Sequence, residues 1–139
     1  MPLISPKKTI QVVSIEIRYI EKENGDIELI KDDEVIAEGE KFETARFVFR
    51  PPNWGDTKAI MSACSLIGQD GKIAFDGYKF IDMRLRRLMT DWSLTDEKEK
   101  RLPLTEENFE MLPYAIVNYL NEKIEKVPCI ASAFGAAQE

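Results

Sequence analysis

The chain has no histidine among its 139 residues. That absence removes the usual general base near neutral pH and the commonest transition-metal ligand. A Ser-His-Asp or Cys-His arrangement is therefore impossible. Cysteine is scarce, with only Cys64 and Cys129. Two thiols so far apart in sequence do not make a zinc site. Without an export signal beside them they read as free thiols, and Cys64, inside an apolar helical pattern, reads as core. The seven glycines are scattered, so no Gly-rich loop is available to cradle a phosphate. No apolar run approaches the ~20 residues that span a membrane. The opening Met1-Pro2-Leu3-Ile4-Ser5-Pro6-Lys7-Lys8 lacks the apolar stretch of a secretory signal. The protein is expected to stay in the cytoplasm where it is made.

Basic charge is also in deficit. Nineteen Lys and Arg stand against 25 Asp and Glu, a formal charge of −6. Such a balance argues against nucleic-acid binding, which needs a basic surface to neutralise phosphates. The charge is uneven. Eleven acidic residues lie between Glu16 and Glu43, with only Arg18, Lys22, Lys31 and Lys41 to offset them. Between Lys72 and Arg87 the sign reverses, with Lys72, Lys79, Arg84, Arg86 and Arg87 against Asp76 and Asp82. An acidic end and a basic helix suit a partner of mixed charge or a second copy of the chain, and equally suit two solvated faces.

What is present fits one domain over residues 1–139, with 44% hydrophobic and 32% charged residues. The expected fold class is α+β: a β-rich part over 1–50, a helical part over 53–127 and a tail over 128–139. Val13, Ile15, Ile17 and Tyr19 alternate with Ser14, Glu16 and Arg18, the period of a half-buried strand. Asn24-Gly25 is a hairpin signal, and Ile27 and Leu29 mark the return strand. Polar turns flank a short apolar piece, Val35-Ile36-Ala37. Ala45, Phe47 and Phe49 alternate with Thr44, Arg46, Val48 and Arg50 as a further strand. The expectation is a small antiparallel sheet of three or four strands, ended by Pro51-Pro52.

Only helices are expected after residue 53, in a bundle of three to four. Asn53 caps the first, whose apolar face is Ile60, Ala63, Cys64 and Ile67, with Gly68 as its stop. Gln69-Asp70-Gly71-Lys72 is a turn. Asp76 caps the second, with the stripe Tyr78, Ile81, Leu85, Leu88 and Trp92. After a charged loop from Thr95 to Arg101, Thr105 caps a short helix with Glu106 and Glu107 in its first turn. Pro113 opens the last helix, buried through Ile116, Val117, Leu120, Ile124 and Val127, and Pro128 stops it.

No residue is assigned a catalytic, cofactor-binding or metal-binding role. The carboxylates of Asp70, Asp91, Asp96, Glu106 and Glu107 read as turns and helix caps rather than as a calcium loop or a glycosidase pair. The candidate site is a protein-binding one. Trp54, on a Pro-Pro-Asn-Trp-Gly turn, is the candidate anchor. Arg84, Arg86 and Arg87 are the candidate rim, because arginine is enriched at interfaces. The competing reading is a solvated helix back paired with Asp82 and Asp91.

Two segments carry a resemblance. One is Arg46-Phe47-Val48-Phe49-Arg50-Pro51-Pro52-Asn53-Trp54-Gly55-Asp56. The other is Thr90-Asp91-Trp92-Ser93-Leu94-Thr95-Asp96 with Leu102-Pro103-Leu104-Thr105-Glu106-Glu107-Asn108-Phe109-Glu110-Met111-Leu112-Pro113. Together they resemble the small tail assembly chaperones and tail accessory proteins of long-tailed bacteriophages, over about Arg46 to Val127. The resemblance implies no catalysis and no cofactor. It implies binding to tape-measure or tail-tube subunits in the host cytoplasm while the tail is built. The alternative it leaves is a structural virion component, a neck, tail or baseplate subunit.

Overall fold

A computed structural model describes residues 12–134, apart from residues 32, 33, 36, 37 and 40. The Asp32-Asp33 turn, Ile36-Ala37, the first eight residues and the end of the tail lie outside the described residues. The fold is α+β, with an antiparallel sheet at the N-terminal end and helices after it. Strands β1 (Val13–Glu21), β2 (Ile27–Ile30) and β3 (Glu43–Phe49) form where apolar and polar residues alternate. Ile15, Ile17, Ala45, Phe47 and Phe49 turn to the core, and their neighbours turn to water. The β1–β2 hairpin closes at Asn24-Gly25. Gly25 takes φ +88°, and Asn24 Oδ1 accepts from the Asp26 N–H at 3.0 Å. Only the glycine adopts a left-handed backbone there, so Asn24 serves as a side-chain cap of the turn.

The expectation of nothing but helices after residue 53 is overturned. The fourth strand of the main sheet is β6 (Met89–Trp92), and the strand order is β2-β1-β3-β6. Trp92 therefore lies on a strand opposite Phe47, edge-on to its ring, and not on the second helix. It is buried all the same, with its indole N–H donated to the Leu102 carbonyl at 2.8 Å. A second, two-stranded sheet, β4 (Ser65–Ile67) and β5 (Ile73–Phe75), sits between the first two helices. It takes Ile67 away from the first helix, which ends at Cys64. Gly68 belongs to the hairpin, its N–H donating to the Lys72 carbonyl at 2.8 Å.

The helices are α1 (Trp54–Cys64), α2 (Gly77–Leu88), α3 (Glu106–Glu110), α4 (Tyr114–Glu125) and α5 (Pro128–Ala131). Asn53 and Asp56 make a reciprocal capping box on α1. Asp76 caps α2 through the Lys79 N–H, and Thr105 caps α3 through the Asn108 N–H. Pro113 stands at the cap of α4, just before its first residue. Leu85 and Leu88 of α2 and Ile116, Leu120 and Ile124 of α4 complete the core over the inner face of the main sheet. Tyr78, placed on the α2 stripe by spacing, is exposed instead. Pro128 starts α5 rather than opening a frayed tail. Ile130 is fully buried, and Phe134 packs edge-on against Phe80. Cys64 is buried and Cys129 exposed, both as free thiols.

Candidate protein-interaction surfaces

The three arginines of α2 do not form a common rim. Helical spacing sends them in different directions, each to a different helix. Arg84 is only 3% exposed. Its guanidinium donates to Asn121 Oδ1 at 2.5 Å and to Glu125 Oε1 at 3.0 Å, both on α4. It also lies 4.5 Å from the centre of the Phe80 ring. Burial pulls its pKa down, and among the described residues its Nε has no hydrogen-bond partner. Arg84 is a strut between helices and is removed from the candidate binding rim for that reason. Arg86 reaches Asp82, Glu106 and Glu110 at 2.9–3.1 Å and lies over the Phe109 ring, which ties α2 to α3. The expected pair with Asp82 is thus present, whereas Asp91 faces Arg101.

Arg87 points to the N-terminus of α1. Its Nε donates to Asp56 Oδ1 at 2.7 Å, and Arg50, at the end of β3, donates to both oxygens of the same carboxylate. The Asn53 N–H adds a fourth bond, at 2.9 Å. The Arg50 bonds foremost, then those from Asn53 and Arg87, hold the Asp56 carboxyl well below the usual carboxylate range despite its burial. Enclosed by these bonds, Asp56 is the joint of β3, α1 and α2. Trp54 stands two residues away, 73% exposed. Of the expected surface, only Arg87 reaches the start of α1, the helix that Trp54 begins, whereas Arg84 and Arg86 turn to α4 and α3.

Two apolar surfaces were not singled out by sequence reasoning. The first is a groove of about 420 Å³ among α2, α3 and α4. Ile81, Phe109, Leu112 and Val117 line its apolar part, and the exposed Tyr78 and Tyr114 stand at its sides. Asp82 and Glu110 add negative charge at the rim, where Arg86 is already engaged. Met111, 81% exposed, follows on the same α3–α4 connection. The signal for it was Tyr78 at the first turn of an otherwise buried stripe. The second surface is the β4–β5 hairpin, in which all six strand residues are exposed, including Leu66, Ile67, Ile73 and Phe75. Its signal was Asp70-Gly71 between the apolar pieces Leu66-Ile67 and Ile73-Ala74-Phe75.

Among the described residues, no group of three or more Cys, Asp or Glu side chains gathers as a metal site would require, and no helix is long and apolar enough to cross a membrane. Glu106 and Glu107 occupy the first turn of α3, where the helix dipole favours negative charge. Comparison of the chain with known family models, curated proteins and solved structures finds no match.

Proposed function

We propose that the protein is a non-catalytic binding protein of bacteriophage tail morphogenesis, which holds tape-measure or tail-tube subunits before they assemble. The observation that carries this reading is the groove between α2, α3 and α4. Its α3 side is built from Phe109, Glu110 and Leu112, which belong to the second of the two segments that resemble tail assembly chaperones. The first of those segments lies beside it in the fold: β3 and β6 are hydrogen-bonded neighbours, with Phe47 against Trp92. An apolar groove with tyrosines at its sides and acids on its rim suits an amphipathic helix with a basic flank. Tyrosine adds contact area at little cost in side-chain ordering. Trp54 and Arg87 provide a second, smaller contact point at the start of α1.

Co-expression with a candidate tape-measure or tail-tube protein, followed by affinity capture, tests the reading. The unmodified chain is expected to retain at least one such protein. Tyr78→Ala combined with Tyr114→Ala is expected to weaken capture by roughly tenfold or more while the circular dichroism spectrum is unchanged. Full capture by the doubly substituted protein would exclude the groove. Failure of the unmodified protein to capture any tail component, together with its stoichiometric presence in purified particles, would replace the chaperone reading with that of a structural virion subunit.

A further inference from the structure

We infer that the β4–β5 hairpin is a self-association element, in which β5 pairs antiparallel with β5 of a second copy about a two-fold axis at Ala74. This goes beyond the tail-assembly reading and does not rest on it. The hairpin is apolar and exposed on both strands, with Ile67 at 81% and Ile73 at 77%. A two-stranded ribbon with no fully buried position is marginal by itself. It nevertheless has a fixed direction. Phe75, at its base, meets Phe80 at 5.3 Å between ring centres, and Phe80 is in turn packed by Phe134 and by the buried Arg84.

The backbone pattern selects which edge pairs and in what register. The Asp76 N–H donates to the Cys64 carbonyl and the Gly68 N–H to the Lys72 carbonyl, so the even-numbered positions turn their polar groups into the hairpin. Ile73 and Phe75 therefore present N–H and C=O outward along β5, and among the described residues β4 is the one strand paired with it. An unpaired edge of this kind is a template for another strand. Pairing about Ala74 sets Ile73 opposite Phe75 of the second copy, twice, which uses all four outward donor and acceptor pairs. The same register sets Lys72 opposite Asp76 at both ends, so the charges are complementary. The other edge is less suitable. Pairing β4 about Leu66 would bring Gly68 against Cys64, which is fully buried in α1.

Sedimentation velocity on the full chain tests the inference. A reversible monomer–dimer exchange is expected with a Kd on the order of 10 µM, as suits a small interface, and weaker at high salt. Ile73→Lys places a charge on the outward edge and is expected to give a monomer over the same range. The register has its own test, in a Cys129→Ser background so that the exposed native thiol is absent. Directly opposed residues of a non-hydrogen-bonded antiparallel pair have Cα atoms about 4.5 Å apart, within disulfide reach. Ala74→Cys should therefore oxidise to a covalent dimer. Leu66→Cys, on the inner strand, would lie roughly 14 Å from its copy, three strand spacings away, and should not. A chain that stays monomeric and whose Ala74→Cys variant does not cross-link would overturn the proposal. So would a dimer that survives Ile73→Lys and cross-links no faster through residue 74 than through residue 66.

Discussion

The described residues hold two antiparallel sheets made on opposite terms. The main sheet alternates: Ile15, Ile17, Ala45, Phe47 and Phe49 face inward, and Ser14, Glu16, Thr44 and Arg46 face water. Strands β1 and β3 each have one buried and one solvated side over these positions, so the pattern specifies both their pairing and their register. In the small sheet, Leu66, Ile67, Ile73 and Phe75 are apolar without alternation, and no strand position is buried. Its register is set by the Asp70-Gly71 turn instead, with Gly71 at φ +79° and the Asp70 carboxylate accepting from the Lys72 N–H. The main sheet is stabilised by its own core. The small one is held in shape by a turn, and its apolar side chains contribute little to the folded monomer.

Substitutions separate the two sheets by size of effect. Phe47 is fully buried in the main sheet, and Phe47→Ala should lower stability by about 4 kcal/mol, read from chemical denaturation. Leu85, opposite that sheet on α2, should lose about 3 kcal/mol as Leu85→Ala; an unchanged midpoint would mean that this stripe faces outward. Asp56→Ala, at the joint between the two halves, should cost about 2–3 kcal/mol, since it removes a helix cap and leaves Arg50 and Arg87 without their acceptor. Ile67→Ser in the small sheet should change monomer stability by less than about 0.5 kcal/mol. A loss as large as that of Leu85→Ala would show that the hairpin is part of the core, and the contrast between the sheets would fail.

The Asp56 joint adds a pH dependence of definite sign. Its folded pKa is depressed, chiefly by Arg50, so the folded state binds fewer protons than the unfolded chain. The stabilisation is complete above the unfolded carboxylate value of about 3.9 and is lost as pH falls from there toward the folded value. The stability difference between the native chain and Asp56→Asn should be constant above about pH 5 and shrink below about pH 4. A difference that stays flat down to pH 2.5, measured by denaturant midpoints, would contradict the ion-pair account.

Strands β1 and β3 were legible because period-two alternation runs for seven residues or more in each. The caps Asn53, Asp76 and Thr105 were legible because capping chemistry is local. Strand β6 was not, because Trp92 falls four residues after Leu88 and so continues the α2 stripe on paper. The four residues Met89–Trp92 are too few to establish a period of their own. Ile67 was misplaced for the same reason, lying three residues after Cys64. Arg84 was read as a surface cation by its residue type, although positions 81, 84, 85 and 88 together trace the buried side of α2. What compensates its charge, Asn121 and Glu125, lies 37 and 41 residues away. No local window contains both partners.

The adjacency of β3 and β6 has a kinetic consequence. Phe49 pairs with Met89, yet everything between them, two helices and the small sheet, lies outside the ladder that joins them. Closing that excursion brings together residues 40 positions apart, a loop-entropy cost that grows only slowly with length but comes before its contacts are gained. The arrival of Trp92 against Phe47 is therefore expected to be the last step in building the main sheet. The chain carries its own optical probe of that step. Trp54 is largely exposed and Trp92 is buried, so replacing Trp54 by Phe leaves a single indole that reports on closure alone. In stopped-flow refolding of such a variant, the fluorescence change should trail the far-ultraviolet signal of the helices.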